Sequence, residues 1–419
     1  MTLATFSTRL ASRRTLIKAV AALSGAVAMA PTGVFAQGVG NPPGGAGPAT
    51  PATTTTSPPR DFSPNGAPST YFSDPDVITI DPAFGDITQG NTTIQRVWHG
   101  DVNGKPILWS EGPAWSSEGR YLLWSDIPNN RQLRWLEDDG HVSVFRDPSN
   151  NSNGNTFDYQ GRQISCEHLT RRVVRYELDG SITVIADSFQ GKHLNSPNDV
   201  VPHTDGSIWF TDPPYGAQAY EGAPDAPGGP ANAAGKQLSR VGQPEPEAGT
   251  LKRELPTQCY RWDPSGRLDV VVTEDQVHDP NGILLSPDQK TLYVISTGKG
   301  PGDTVGGDGK VYAFDVTSDN KTANKRLFTD CIVDGISCGP DGMRCDVNGN
   351  VWISSNAGRN LGYSGVTVWD PSGKLLGRVR IPEVVGNIAF GGIKRNRLFM
   401  AGSTSLYALY VGTQGAAPG

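Results

Sequence analysis

Short apolar runs separated by turn residues dominate the chain from about residue 94 onward. The turns include Asp179-Gly180, Asp205-Gly206, Ser265-Gly266, Asn348-Gly349 and Ser372-Gly373. No stretch shows a helical period of useful length. Short strands joined by glycine-containing turns are typical of an all-β domain, so we predict one.

The strand-like runs also repeat with a common phase. Each unit starts with a polar residue, reaches a Gly or charged turn about eight positions later, and often continues with Trp, Tyr or Phe. Several units span about 40–45 residues, the length of a four-stranded propeller blade. The leading residues of the six units are Glu111, Asn153 (or its neighbour Asn155), Asn198, Asn281, Asp341 and Asn387.

These units predict a six-bladed β-propeller. The strand-like residues around 94–99 precede the first unit and are expected to complete the last blade, which would hide both sheet edges. A Pro/Gly/Ala-rich insertion at about residues 213–256 lengthens the third unit, and the run from Gly298 to Gly309 lengthens the fourth. The role of the insertion stays open.

Residues in the same phase of different blades occupy equivalent places around the propeller axis. All six leading residues carry a side-chain oxygen, so we predict that they meet at one mouth of the central tunnel. Oxygen ligands without Cys or His favour a hard cation, with Ca²⁺ ahead of Zn²⁺ or Mg²⁺. The alternative is that each Asn or Asp only caps a turn, although Glu111 is no turn former.

Composition narrows the classes of partner and the kind of site. The formal net charge of -6 and the absence of a basic excess argue against nucleic acid as a partner. The five cysteines include no C-x-x-C pair, so a zinc cluster is not expected. Buried free thiols are favoured, with a Cys331–Cys338 disulfide as the alternative.

The N-terminal region is predicted to be separate from the fold. Residues 1–36 carry Arg13-Arg14 before a short apolar stretch that ends in small residues, which is typical of a twin-arginine export signal; a Sec signal is the alternative. Residues 37–70 are Gly/Pro/Thr-rich and predict a disordered linker, which leaves 71–415 as the propeller domain. We therefore expect a periplasmic or secreted protein with no membrane span.

Five motifs resemble those of a known family, the SMP-30/gluconolactonase/LRE-like family. They are Glu111-Gly112-Pro113, Cys166 to Arg172, Asn195 to Val200, Pro280-Asn281-Gly282-Ile283 and Pro340-Asp341-Gly342-Met343. The resemblance covers roughly residues 95–411. It implies a six-bladed propeller that binds one divalent metal, commonly Ca²⁺ or Zn²⁺, and hydrolyses lactones.

The resemblance also implies residue roles. Glu111, Asn281 and Asp341 match the family's metal ligands, and Asn198 matches a position that contacts metal or substrate. Some members have an Arg two residues before that Asn for sugar recognition. Here the residue is Ser196, so a sugar lactone is less strongly implied.

The expected reaction is metal-assisted opening of a lactone. The metal would polarise the carbonyl and a carboxylate would activate water, with Asp341 as the first candidate base and Asp199 as the second. The candidate substrate-binding residues are Asn198, His168, His193, Asn153 and Asn387. The alternatives are a phosphotriesterase or arylesterase on the same scaffold, and a non-catalytic propeller in which the ion only stabilises the centre.

Overall fold

The structure is a computed structural model that describes residues 74–218, 253–298, 306–360 and 362–416. The predicted export signal (1–36) and linker (37–70) lie outside the described residues, as do parts of the two long loops. No helix in the described part of the chain combines the length and apolar character needed to cross a membrane.

The N-terminal segment supplies strands to two blades that lie far from it in sequence. It comprises β1 (Val77–Thr79), helix α1 (Phe84–Ile87), β2 (Gln95–His99) and the small hairpin of β3 (Asp101–Val102) and β4 (Lys105–Pro106). Of these strands, β1 and β2 pair with strands of blades 5 and 6, whereas β3 and β4 pair with each other.

The first three blades are four-stranded antiparallel sheets. Blade 1 contains β5 (Ser110–Ser116), β6 (Tyr121–Asp126), β7 (Arg131–Leu136) and β8 (Val142–Arg146). Blade 2 contains β9 (Ser152–Phe157), β10 (Gln163–Glu167), β11 (Arg172–Tyr176) and β12 (Ile182–Ala186). The hairpin of β13 (Ser188–Phe189) and β14 (Lys192–His193) follows. Blade 3 contains β15 (Val200–Pro202), β16 (Ile208–Asp212), β17 (Gln258–Trp262) and β18 (Leu268–Val272), with α2 (Tyr215–Gln218) after β16.

The last three blades complete the ring of six. Blade 4 contains β19 (Pro280–Leu285), β20 (Thr291–Ser296), β21 (Lys310–Val316) and β22 (Thr322–Thr329). The hairpin of β23 (Ile332–Val333) and β24 (Ile336–Ser337) follows. Blade 5 contains β25 (Pro340–Cys345), β26 (Val351–Ser355), β27 (Gly365–Trp369) and β28 (Leu375–Arg380). Blade 6 contains β29 (Val385–Gly391), β30 (Arg397–Gly402) and β31 (Ser405–Tyr410). The predicted six-bladed propeller is confirmed.

Both N-terminal strands act as outer strands. β2 pairs with β31 and completes blade 6, as predicted. β1 pairs with β28, with Val77 opposite Val379, so blade 5 has a fifth strand that the repeat did not predict. A buried ion pair between Asp76 and Arg380 fixes the start of β1, at 2.5 Å between Asp76 Oδ1 and Arg380 Nη2.

Large aromatic side chains pack between neighbouring blades. Trp124, Trp209 and Trp352 are almost fully buried. Trp352 of blade 5 packs edge-on against Phe390 of blade 6, with ring centroids 5.5 Å apart. The second strand of each blade therefore supplies core packing and leaves the inner strand free to face the tunnel. All five cysteines are buried and unpaired.

Candidate active site and cation centre

The first residues of the inner strands contact one another around the tunnel. Gly112, which follows Glu111, has a φ of +52° and packs against the backbone oxygen of Asn153 in blade 2. Gly154 in turn donates its N–H to the backbone oxygen of Asn198 in blade 3, at 2.8 Å. A glycine at this place allows the inner strands of neighbouring blades to approach closely.

Hydroxyl groups on the second strands repeat the same link between blades. Ser125 Oγ donates to the backbone oxygen of Asn153 at 2.8 Å, and Thr211 Oγ1 donates to that of Asn281 at 2.7 Å. Ser354 Oγ donates to the backbone oxygen of Gly386 at 2.7 Å. The residue that accepts this bond is the leading residue of its blade, so Asn153 rather than Asn155 leads blade 2.

The hydrogen bond from the second strand also shows which residue leads blade 6. Gly386, not Asn387, accepts the bond from Ser354, so the prediction that all six leading residues carry a side-chain oxygen is wrong in blade 6. Asn387 instead matches Asp199. In both residues Oδ1 accepts the N–H of the next residue, Val200 or Ile388, at 2.9 and 2.8 Å.

The hub comprises the leading residues and the residue that follows each of them. Its three carboxyl groups, on Glu111, Asp199 and Asp341, come from blades 1, 3 and 5. Burial, and then the charges of Asp341 and Asp199, raise the pKa of Glu111 well above its ordinary value. Burial and the charge of Asp199 raise the pKa of Asp341 to about 7. The structure therefore brings together carboxyl groups that are separated by 230 positions in sequence.

Amide side chains stand beside these carboxyl groups. The Asn281 side chain hydrogen-bonds to Asp341 and partly offsets the rise of its pKa. The nearby Asn387 amide does the same for Glu111 and Asp199. Asn198 leads blade 3 and is buried. Amide oxygens next to clustered carboxyl groups form a donor set that suits a hard cation.

A cation would meet only a few anionic ligands here. The described residues contain no group of three His, Cys, Asp or Glu side chains placed to hold a metal ion. Glu111 and Asp341 would supply charge, and the Asn oxygens would supply neutral ligands. A nearby cation would also favour the ionised forms of both carboxyl groups against the burial and the repulsion that raise their pKa values, so the residues present fit one divalent ion.

The three carboxyl groups of the hub differ in their exposure to solvent. Glu111 and Asp199 are 4% and 0% exposed, whereas Asp341 is half-buried and keeps contact with solvent. A group that takes a proton from a water molecule must be reachable by water, so Asp341 is the better placed of the two candidate bases.

The side of the hub next to blade 2 carries Asn153 and His168. The distance between Asn153 Nδ2 and His168 Nε2 is 3.3 Å, and both residues are buried. Asn153 Oδ1 has no hydrogen-bond partner among the described residues. His193, in contrast, is exposed on β14 and its N–H donates to Glu254, so it is not among the buried groups of the hub.

Comparison with known proteins identifies the family of this chain. The SMP-30/gluconolactonase/LRE-like profile matches residues 109–404. The chain belongs to this family. A gluconolactonase of Zymomonas mobilis is 28% identical over 333 residues, which cover 75% of this chain and 82% of that protein.

Solved structures of the family agree in fold. A gluconolactonase from Xanthomonas campestris is 31% identical, with a TM-score of 0.64 and coverage of 84% of this chain and 99% of that one. A candidate gluconolactonase from a structural-genomics project is 30% identical, with a TM-score of 0.63 and coverage of 80% and 98%.

In this member of the SMP-30/gluconolactonase/LRE-like family, Ser196 has a local structural task. Its Oγ donates to the backbone oxygen of Pro213 at 2.7 Å and accepts the N–H of Gly216 at 2.9 Å. Gly216 packs directly on the His168 ring. Ser196 therefore fixes the start of the long insertion over His168, and its hydroxyl proton is already used in a hydrogen bond to the protein.

The sequence analysis missed one residue beside the hub. Arg344 is 8% exposed, and its Nη1 lies 3.6 Å from Asp199 Oδ2. The residues three positions after the leading residue in the other five blades are Ala114, Thr156, Val201, Leu284 and Ala389. A single charged residue at this position was the signal that could have revealed it.

Proposed function

We propose that the protein is an enzyme that hydrolyses lactones, with one divalent cation bound at the hub. The observation that carries the proposal is the pair Glu111 and Asp341, whose carboxyl groups meet beside amide oxygens at the tunnel mouth. The membership of the SMP-30/gluconolactonase/LRE-like family and the gluconolactonase relatives support the choice of reaction.

Glu111, Asn198, Asn281 and Asp341 would hold the ion. Ca²⁺ is the first choice because all donors are oxygen atoms, with Zn²⁺ and Mg²⁺ as alternatives. When bound, the ion would supply Lewis-acid polarisation of the lactone carbonyl and charge to stabilise the oxyanion.

Asp341 is the general base in this proposal. It accepts a proton from water while the water oxygen bonds to the carbonyl carbon, and the ring C–O bond then breaks. The proton passes to the departing ring oxygen, and the product is the open hydroxy acid. Asn281 orients the Asp341 carboxylate by a hydrogen bond. Asp199 is a weaker candidate, because it is fully buried and lies beside Arg344.

A panel assay tests the reaction class. Acid release is followed at constant pH with glucono-1,5-lactone, simple γ-lactones and paraoxon, before and after treatment with a chelator. We expect turnover of a lactone that is lost with chelation and restored by a divalent ion. Turnover of paraoxon alone would indicate a phosphotriesterase. Chelation that lowers the melting temperature while no substrate turns over would indicate a non-catalytic propeller.

Asp341→Asn tests the assigned base. The amide keeps the size of the side chain but cannot accept a proton from water, so we expect kcat to fall about 100-fold or more while the protein stays folded. The control is Asp319→Asn, which changes an exposed aspartate near the outer edge of blade 4. Full activity of Asp341→Asn would remove Asp341 from the mechanism.

The cellular location is a separate proposal. Residues 1–36 act as a twin-arginine signal and direct the protein to the periplasm or outside the cell, with 37–70 as a linker. Replacing Arg13-Arg14 by Lys-Lys should retain the precursor in the cytoplasm. Unchanged export would favour the Sec route.

A further inference from the structure

Asp199 departs from the pattern of its own repeat. In blades 1, 2, 4 and 5 the residue after the leading residue is glycine, namely Gly112, Gly154, Gly282 and Gly342. Blade 3 has Asp199 there, fully buried, with Oδ1 bound to the Val200 N–H at 2.9 Å. A third carboxyl group thus lies near those of Glu111 and Asp341, at a place where four blades have no side chain.

Arg344 departs from the repeat in a complementary way. It is the single charged residue at its position among the six blades, and it comes from blade 5, which also carries Asp341. Its Nη1 donates to the Met343 backbone oxygen at 2.8 Å and lies 3.6 Å from Asp199 Oδ2, while Nη2 has no hydrogen-bond partner among the described residues.

A buried guanidinium is costly unless it neutralises a charge. Among the described residues, the Arg344 side chain makes one direct hydrogen bond, to the Met343 backbone oxygen, so the protein does not satisfy the whole guanidinium group by hydrogen bonding. Its guanidinium lies against the fully buried carboxyl group of Asp199 and offsets the cost of burying that charge. Asp199 and Arg344, the two residues that depart from the repeat, therefore interact with each other.

The charge balance gives the pair a specific effect. The three carboxylates Glu111, Asp199 and Asp341, when ionised, carry three negative charges, and the Arg344 guanidinium cancels one of them. Two negative charges remain, which matches one divalent ion. Without Arg344, the same hub would carry the charge that suits a trivalent ion.

We propose that Arg344 is a positioning residue that fixes Asp199 and sets the hub to prefer divalent over trivalent cations. This inference rests on the cation centre proposed above. A purely structural Arg344 would contribute to folding, but its removal would change the affinities for ions of different charge by the same factor.

Calorimetric titration of chelator-treated full-length protein with CaCl₂ and with TbCl₃ measures this preference. In Arg344→Met we expect the ratio of Tb³⁺ to Ca²⁺ affinity to rise about tenfold or more, because the attraction of an uncompensated negative charge scales with the charge of the ion. In Arg344→Lys the ratio should stay near that of the wild type.

Two further variants keep the test decisive if Arg344→Met does not fold. Asp199→Asn should weaken Ca²⁺ binding about tenfold, because it leaves a single net negative charge. Asp199→Asn/Arg344→Met restores two negative charges and should recover the wild-type ratio. Arg397→Met is the matched control, since Arg397 is also 8% exposed but packs over Trp135 and Phe399 instead of facing the hub.

The outcomes separate this inference from the proposed function. An unchanged ratio in Arg344→Met, or failure of the double variant to recover it, overturns the role of Arg344 while the cation centre stands. Absence of any divalent-ion binding by the wild-type protein overturns the cation centre and this inference together.

Discussion

At the scale of single residues, the hub residue Asn153 has a side chain with unused hydrogen-bonding capacity. Its Nδ2 faces His168 Nε2 at 3.3 Å, but its Oδ1 is buried without a partner among the described residues. Leaving such an oxygen unpaired costs about 1–3 kcal/mol. A substrate hydroxyl group can supply the missing donor, so Asn153 is suited to recognise a hydroxylated lactone.

Asn153→Ala tests this recognition. We expect the KM for a polyhydroxylated lactone to rise about tenfold, because one hydrogen bond to the substrate is lost, while the KM for an unsubstituted γ-lactone stays unchanged. Steady-state kinetics with both substrates gives the comparison. Equal effects on the two substrates would mean that Asn153 does not contact a hydroxyl group.

The types of ligand could be predicted from single residues in the sequence, but the contact between Arg344 and Asp199 could not. Glu111 and Asp341 were identifiable because each starts a repeat unit with an oxygen-bearing side chain. Arg344 was missed because its effect depends on Asp199, which is 145 positions away and lies on another blade. Only the fold shows that the two charges meet.

At the scale of the strand, the hub requires a residue without a side chain at position 386, next to Glu111. Gly386 starts the inner strand of blade 6 beside Glu111, and a Cβ atom there would overlap Glu111 Oε1 and approach the Ser110 backbone oxygen. Gly386 is not among the residues with positive φ, so alanine would strain the contact rather than the backbone.

Gly386→Ala should therefore weaken cation binding more than it weakens the fold. We expect at least about a tenfold loss of Ca²⁺ affinity, because the carboxylate of Glu111 must move. The control is Gly85→Ala in α1, where the added Cβ would meet nothing within 4 Å. Calorimetry and thermal unfolding of both variants give the measurement. Wild-type affinity in Gly386→Ala would exclude Glu111 as a ligand.

The end of β16 carries another buried carboxyl group, Asp212. It accepts the N–H groups of Asn195 and Ser196, both at 2.8 Å, and so shapes the turn before Asn198. Burial, opposed by these two hydrogen bonds, raises the pKa of Asp212 to about 7. The native state then binds a proton more tightly than the unfolded state does.

This carboxyl group should make stability fall with rising pH. Because its pKa is raised in the folded state, its contribution is fully present below about pH 4 and is lost as pH rises to about 7. Over that interval the free energy of unfolding of the wild type should decline relative to Asp212→Asn, by at most about 1.4 kcal/mol per pH unit. Urea unfolding at several pH values tests this. Parallel pH profiles would show that Asp212 does not titrate in this range.

Strand phase explains which elements could be predicted. Five of the six leading residues were placed correctly, because a polar residue precedes a glycine or an acid at the start of each inner strand. Blade 6 has the glycine first, Gly386 before Asn387, and the phase was therefore displaced by one residue. β1 has three residues and no counterpart in the repeat, so only its pairing with β28 reveals it.

At the scale of the whole molecule, the ring is held closed by strands from both ends of the chain. β2 completes blade 6, and β1 extends blade 5. The segment between them buries Phe84, Ile87 and Ile94 in the core shared by blades 5 and 6. Loss of one such side chain typically costs about 2–5 kcal/mol, so the segment contributes a large part of the net stability.

N-terminal truncations test this closure. A chain that begins at residue 71 keeps both strands and should melt near the temperature of the full-length protein. A chain that begins at residue 101 loses β1, α1 and β2, exposes the edge of blade 6, and should fail to give a cooperative transition. Thermal unfolding monitored by circular dichroism distinguishes them. Cooperative melting of the shorter chain would show that closure is dispensable.

The segment around Ala416 also pairs with blade 5. The N–H of Ala416 donates to the backbone oxygen of Cys345 at 2.9 Å, at the end of the strand that carries Asp341 and Arg344. Gly386, which packs on Glu111, comes only 30 residues earlier. The hub therefore cannot assemble during translation before the residues up to Gly386 have left the ribosome. The proposed cation centre can bind its ion only after that point, and a chain that stops before residue 386 should carry no metal even if its first blades have formed.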